Sequence, residues 1–317
     1  MRLRRSTLFI SASYINVRLL IEQSQPAVHC VRPYRMRPAM STASVLNIYR
    51  YPVKSMMGET LRETDIGEAG IPGDRGWAVR DEQRGGIRGG KKIPQLMTLT
   101  AQSGAAAPLI IAPCGDSALA SGEGINDWLS DKLNHPVTLW PLLPAEQLDH
   151  YRRGAPDTED FEQELRAVFG RLPDEPLPDL SGFEELLKFE SPPGTYFDAF
   201  PISVMSQQSL NTMNQLEGES QFDVRRFRPN LLVDLPETDH PFPEQVWIGK
   251  TLSVGSVKLK IDTTCPRCAM TTHGFDDLPR DEQIMRKLVA SSEGNLGIYA
   301  SVAQAGIVTT GDSVSVV

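Results

Sequence analysis

Val45-Leu46-Asn47-Ile48-Tyr49-Arg50-Tyr51-Pro52-Val53-Lys54-Ser55 is the first stretch of the chain that reads as folded protein. Apolar and polar side chains alternate imperfectly from Val45 to Tyr51. Pro52, which has no N–H to offer a ladder, ends the run as it would end a strand. Lys54 and Ser55 then stand at a strand end. Downstream, Gly58, Gly70 and Gly73 punctuate short pieces, and strands are predicted over 77–79, 96–100 and 109–112. Many short strands with frequent glycines point to a small β domain, barrel-like in character. A helical turn or two is expected over 128–133. Between the strands lies Arg84-Gly85-Gly86-Ile87-Arg88-Gly89-Gly90-Lys91-Lys92, which reads as a flexible surface or lid loop.

From Pro144 to Pro193 the chain is acidic and rich in proline, with short helices predicted over 158–168 and 183–189. A second β-rich unit opens at Ala199-Phe200-Pro201-Ile202-Ser203-Val204-Met205. Ser206 reads as an N-cap, with Leu210, Met213 and Leu216 on one helical face. Strands are predicted over 230–234, 246–248, 252–254 and 257–262, with hairpins at Gly249 and Gly255. A helix is expected over 278–288, and a last strand over 312–317 to close a sheet.

With 317 residues the chain has room for about two domains. Its 40% apolar and 23% charged residues are those of a globular protein, and no run is long and apolar enough to span a membrane. The net charge of −8 argues against a general nucleic-acid binder. Four cysteines in this length do not make a disulfide framework, so a close pair of them is more a matter of chemistry than of stapling. The charge is uneven. Residues 1–40 hold seven arginines (Arg2, Arg4, Arg5, Arg18, Arg32, Arg35 and Arg37) against a single acid, Glu22. Such a head reads as a transit peptide, or as untranslated sequence ahead of a start at Met40. Residues 1–43 are therefore set apart from the fold.

The sharpest chemical feature is Cys265-Pro266-Arg267-Cys268 at the end of a predicted strand. Several readings compete. The two cysteines could be small buried hydrophobes. A zinc site would need two more ligands, and only His273 is near, Cys30 and Cys114 being remote. A redox pair would want a helix directly after the motif, and none is evident. The remaining reading is a single thiolate acting as a nucleophile or as ligand to a soft metal, favoured by the fixed charge of Arg267. Anion-binding candidates are scattered: Lys54-Ser55, Asp74-Arg75 after the Gly73 turn, and Arg225-Arg226-Phe227-Arg228-Pro229-Asn230. There is no Walker loop, no G-x-G-x-x-G and no G-x-S-x-G. His240 and His273 are the histidines available as a base in the second half.

Together these pieces resemble a known family. Val45 to Ser55 looks like the opening of the MOSC N-terminal β-barrel domain, and Gly73-Asp74-Arg75-Gly76-Trp77 looks like its next signature. Phe227-Arg228-Pro229-Asn230 and Cys265-Pro266-Arg267-Cys268-Ala269-Met270-Thr271-Thr272 resemble two signatures of the MOSC domain proper. The resemblance runs in order over residues 44–317. By motif the chain is similar to the mitochondrial amidoxime-reducing components and their bacterial counterparts; the same domain pair forms the C-terminal part of molybdenum cofactor sulfurases. The implied fold is β-rich α+β: a MOSC N-terminal β-barrel-like domain over 44–143, a connecting region over 144–193, and a MOSC β-barrel domain with a few peripheral helices over 194–317.

The resemblance also implies a molybdenum–pyranopterin cofactor. Cys268 matches the cysteine that ligates the metal, with Cys265 beside it or simply structural. Lys54, Ser55, Arg75 and Arg228 match cofactor-binding positions, Pro266 and Arg267 flank the ligand, and Tyr299 matches a further contact. Two departures stand out: Ala199-Phe200 replaces small hydroxylated residues, and His273-Gly274 replaces an apolar–acidic pair. The implied activity is reduction of small N-hydroxylated compounds. Cys268 would be at the centre, with His273, Asp276 and Asp277 as proton relays. With no flavin or nicotinamide fingerprint and too few cysteines for an iron–sulfur cluster, electrons would come from a separate donor, a ferredoxin or a cytochrome b5-like protein with its reductase. The ferredoxin fused to some bacterial relatives is not seen before Val317. The alternatives are a sulfur carrier or transferase with a Cys268 persulfide, and a cofactor carrier without turnover. The expected location is cytoplasmic, or mitochondrial if the basic head is a transit peptide in a eukaryote.

Overall fold

The computed structural model describes residues 42–180, 188–216, 218–236 and 238–317. Its centre is an eight-stranded sheet. The strands are β1 (Ser44–Arg50), β2 (Glu59–Leu61), β9 (Ile202–Ser206), β10 (Leu231–Asp234), β11 (Thr251–Val254), β12 (Val257–Pro266), β13 (Asn295–Gln304) and β15 (Val314–Val316). Their order is β15-β11-β12-β13-β9-β10-β1-β2. β12 shows why it forms: Val257, Leu259 and Ile261 turn inward while Lys258 and Lys260 turn to solvent, the period of two that a half-buried strand requires. All pairings are antiparallel except β9 with β10.

The two sides of this sheet meet. Val45 N donates to Asp312 O at 2.9 Å, Gly311 N to Val45 O at 2.8 Å, and Val314 N to Ala43 O at 2.8 Å. The start of β1 thereby joins the segment entering β15 and closes the sheet into a barrel, which removes exposed ladder groups along that seam. Val45, Ile48, Val204, Leu231, Val233, Leu259, Ile261 and Ile298 fill it, each nearly or wholly inaccessible. The first strand of the N-terminal segment is thus part of the C-terminal barrel, and the sheet runs across the domain border expected near residue 143.

A second core lies in the N-terminal half. β4 (Trp77–Asp81) pairs with β8 (Val137–Pro141), and β5 (Thr100–Gln102), β6 (Leu109–Ile111) and β7 (Ser117–Leu119) form a small sheet. Helix α1 (Ile125–Leu133) covers them with Leu129 and Leu133. β3 (Glu63–Ile66) pairs with β14 (Gly306–Thr309). Short helices α2 (Leu148–Tyr151) and α3 (Phe161–Phe169) fill the connecting region. On the barrel's outside, α4 (Gln207–Asn214), α5 (Val224–Phe227) and α6 (Gln283–Ser292) share a core built from Met205, Leu210, Phe222, Phe227 and Leu288.

Several elements differ from the sequence reading. Residues 96–100 are not one strand: a 3-10 turn, Pro94–Thr98, precedes β5, because Pro94 fixes the backbone at the turn's start. The strand expected over 246–248 is likewise a 3-10 turn, Pro243–Trp247, so Gly249 does not join two strands. The expected hairpin at Gly255 is present between β11 and β12. The helix predicted from 278 begins at Gln283, since Phe275 and Leu278 pair across a turn and Pro279 follows. The helix expected over 183–189 falls mostly outside the described residues.

Asp81 at the end of β4 fixes the start of the basic loop. Its carboxylate accepts from Gln83 N (2.8 Å) and Arg84 N (2.9 Å) and faces Arg88 Nε at 3.4 Å. Although its surroundings desolvate it, these backbone donors hold the carboxyl below its ordinary value of 3.8. A group lowered on folding adds stability above the unfolded value and loses it as pH falls through the folded one. Asp81→Asn is expected to cost about 1–3 kcal/mol at pH 7, a gap that narrows only below pH 3.8. Urea titrations at several pH values measure it, and a gap independent of pH contradicts the assignment.

Candidate functional site

Tyr51, at the exit of β1, organises the first half of the site. Its backbone N–H donates to Asp74 Oδ1 (2.7 Å) and its hydroxyl donates to Pro229 O (3.1 Å). Two guanidinium groups lie against its ring, with the Cζ of Arg228 4.1 Å and that of Arg75 5.0 Å from the centroid. Asp74, wholly buried, is the carboxylate that ties the parts: besides Tyr51 it accepts from Asn230 Nδ2 (3.1 Å) and from the Arg75 guanidinium. Segments far apart in sequence are thereby fixed at one end of the barrel.

The backbone there is under constraint. Ser55, Arg75 and Arg228 have φ of 69°, 51° and 54°. Residues with a Cβ rarely occupy this left-handed region, and they persist there where the surroundings over-determine them. All three are residues that the sequence placed at a cofactor.

Arg228 is the unusual charge. It is buried, its guanidinium donates to Met56 O, and among the described residues no carboxylate lies within ion-pairing distance of it. Burial, and secondarily the charge of Arg75, pull its pKa down to about 10, which still leaves it a cation at neutral pH. Burial would lower Arg75 as well, but Asp74 and Asp198 push it up instead. An unmatched buried cation is costly unless an anion meets it.

Cys265 and Cys268 divide in role. Cys265, inside β12, is buried and hydrogen-bonded to the hydroxyl of Tyr299, which sits on the adjacent strand β13 opposite Thr263. Cys268 lies past the strand end and opens the 3-10 turn Ala269–Thr272. Burial raises the Cys268 thiol above its ordinary value, and the first charge opposing this is Lys91. Arg267 favours the thiolate as expected, but its contribution is smaller than that of Lys91. Arg267 spends its guanidinium on main-chain carbonyls, Nε to Leu296 O at 2.7 Å and Nη1 to Phe227 O at 2.9 Å, and burial outweighs it. Gly297 serves that arrangement: its φ is 77°, and a Cβ there would lie 2.8 Å from Val204 O and 3.1 Å from Arg267 Nη2.

The basic loop is not a free surface loop. Ile87, Arg88, Gly89 and Gly90 are buried, and a Cβ on Gly89 would lie 2.7 Å from Ser55 Oγ. The loop carries Lys91 to the cleft, where its ammonium lies 3.1 Å from Glu190 and 3.9 Å from Asp198. Lys54 Nζ donates to Tyr196 O and to Asp198 Oδ1, both at 2.9 Å. Asp198 keeps about half of its side chain exposed, and against the partial desolvation Lys54, Lys91 and Arg75 hold its carboxyl well below the usual range. Lys91 and Asp198 are site residues that sequence reasoning missed. The only signal was the pair of lysines after Gly89-Gly90; Asp198 gave none.

Arg75, Arg228, Pro266, Arg267, Cys268 and Tyr299 share the wall of one small cavity of about 60 Å³. A larger cavity of about 370 Å³ meets the same Asp198, Pro266, Cys268 and Tyr299. Lys54 and Ser55 line neither cavity: Lys54 pairs with Asp198, which lines both, and Ser55 packs against Gly89 of the basic loop. His273 and Asp276 line neither cavity. The His273 carbonyl accepts from Arg226 at 2.9 Å, and its Nε2 is buried without a hydrogen-bond partner among the described residues. Asp276 is exposed and pairs with Arg225 (3.0 Å) on a separate groove, as does Asp277 (2.7 Å). The site can therefore offer a soft sulfur beside a basic recess, with an open chamber on its other side.

The MOSC N-terminal beta barrel domain matches residues 42–112, and the MOSC domain matches residues 192–315. The chain is 26% identical over 310 residues to mitochondrial amidoxime reducing component 2 of Bos taurus, covering 89% of this chain and 86% of the relative. It is 24% identical over 294 residues to molybdenum cofactor sulfurase of Danio rerio, covering 82% of this chain but 32% of that one. Among solved structures, the YuaD protein from Bacillus subtilis aligns at 13% identity and a TM-score of 0.38, covering 86% of this chain and 94% of the other. The chain is a MOSC-domain protein, with a MOSC N-terminal β-barrel domain ahead of the MOSC domain itself.

Proposed function

We propose that this protein binds a molybdenum–pyranopterin cofactor in the cleft at Cys268 and reduces N-hydroxylated small molecules with electrons from a separate donor protein. The observation that carries the reading is the buried guanidinium of Arg228, which has no carboxylate partner among the described residues and stands on the wall of the cavity that also holds the Cys268 sulfur. A phosphate-bearing cofactor whose high-valent metal is already held by sulfur donors would need those two things, a cation and a soft thiolate, side by side. The two relatives, whose names refer to amidoxime reduction and to the molybdenum cofactor, support the same choice.

In this reading Arg228 and Arg75 hold the phosphate, their fork of donors matching its oxygens. Cys268 would be the protein's single ligand to a metal whose other donors come from the cofactor; among the described residues no group of three or more His, Cys, Asp or Glu could hold a metal ion. Pro266, Arg267 and Tyr299 shape the recess, and Lys54 and Ser55 brace its rim. When bound, the cofactor supplies two-electron exchange with the substrate's N–O bond. Two electrons and two protons turn N–OH into N–H and water. Lys91, an ammonium facing the cleft, is placed to orient the oxygen of the N–OH group and to hold a proton near it. A ferredoxin, or a cytochrome b5-like protein with its reductase, fits the donor's role. Sulfur transfer through a Cys268 persulfide is the competing use of the same thiol.

Protein prepared from a molybdenum-replete host should contain molybdenum and pterin in equal amounts, and Cys268→Ala should lose the metal while keeping its circular dichroism spectrum. The parent should also reduce a simple amidoxime with a chemical electron donor. Metal-free protein bearing sulfane sulfur on Cys268 would overturn the proposal in favour of sulfur transfer. Metal-loaded protein without turnover would make it a carrier.

A further inference from the structure

Helix α3 presents an apolar face that no buried core claims among the described residues. Phe161, Leu165, Val168 and Phe169 recur at the spacing that places side chains on one side of a helix. None of them is buried: Phe161 is 63% exposed and the other three are half-buried. Among the described residues they join none of the buried apolar clusters. All four instead line the 370 Å³ cavity, across from Ile87 and Ala199, and that cavity ends at Cys268 and Tyr299. Its size falls within the range of small-molecule sites.

What holds the helix in place is polar. Asp160 caps it by accepting from Gln163 N at 3.1 Å. Lys92, from the basic loop, reaches Glu164 at 2.5 Å and Asp157 at 2.6 Å. At the other end Arg166 donates to Leu172 O (2.6 Å) and Glu175 O (2.8 Å), and Glu175 pairs with Arg286 of α6 at 2.5 Å. Ordinarily a helix is fixed by burying its apolar stripe. Here ion pairs and caps do that, and the stripe is left lining the open chamber that also meets the Cys268 sulfur. Charged groups line the same cavity, and Lys91 and Arg153 both pair with Glu190.

We infer that this face of α3 is a specificity wall that receives the apolar tail of an N-hydroxylated substrate while its polar head lies at Cys268. The identity of the head group rests on the reductase reading above; the apolar tail does not. Burying each added methylene against such a wall strengthens binding by roughly fourfold, so chain length is the variable to change.

The test measures binding of acetamidoxime, butanamidoxime and octanamidoxime to the full chain by calorimetry, in the parent and in Phe161→Ser and Leu165→Asn. Phe161 is exposed, so its replacement leaves the folded core untouched. Affinity should climb with chain length in the parent, and the climb from acetamidoxime to octanamidoxime should flatten in both variants. Reduction of acetamidoxime with a chemical donor is followed separately. A chain-length dependence without any turnover keeps the wall and removes the reductase. Turnover without chain-length dependence, or an equal dependence in parent and variants, overturns the wall.

Discussion

The carboxylate of Asp74 is the contact on which the site depends. Buried and multiply hydrogen-bonded, it takes the Tyr51 N–H, the Arg75 guanidinium and the Asn230 amide at once. Those three groups come from the end of β1, from the turn after Gly73 and from the entry to β10. Once they are joined, Arg75 and Arg228 have nowhere to go but the Tyr51 ring, and two like charges are held close together in a place with little water. Hydrogen bonds to main-chain oxygens and left-handed backbone at both arginines maintain the arrangement. Structure of this kind is seldom kept unless a negative partner completes it.

The barrel supplies the rigidity that such a pair needs. Because β1 is hydrogen-bonded both to β10 and to the segment entering β15, the chain that leads into Tyr51 is locked from two sides. β12 and β13 run side by side for most of their length and deliver Cys265, Cys268 and Tyr299 to the same end. Cys265 is fixed in the wall, whereas Cys268 has passed the last ladder bond and faces open space. Sites built on strand ends in this manner are more sharply positioned than sites carried on loops.

Much of this was legible in the sequence, for reasons that can be stated. The period-two pattern of Val257 to Ile261 revealed a strand because one side of it is solvated. Ser206 revealed a helix start because its hydroxyl has a definite task, accepting from Ser209 N. Arg75, Arg228 and Cys268 were found from short motifs and do share a cavity. The misses have physical causes too. Two apolar runs read as strands became 3-10 turns because proline preset their first turn. Lys91 and Asp198 acquire meaning only from ion pairs across more than a hundred residues, which no local pattern encodes. His273 and Asp276 follow Cys268 closely in sequence, yet the turn Ala269–Thr272 carries the chain away from the cavity before either is reached. Adjacency along the chain was mistaken for adjacency in space.

The claim at the centre is that the unmatched charge of Arg228 exists to meet an anion beside Cys268. It is tested most directly by the pterin content of Arg228→Ala protein, purified alongside the parent from a molybdenum-replete host. A charge-assisted contact of this kind is worth enough to weaken retention by about tenfold to a hundredfold. The pterin should therefore be largely lost in purification while the melting transition stays cooperative. A variant that keeps its full complement of pterin would contradict the claim.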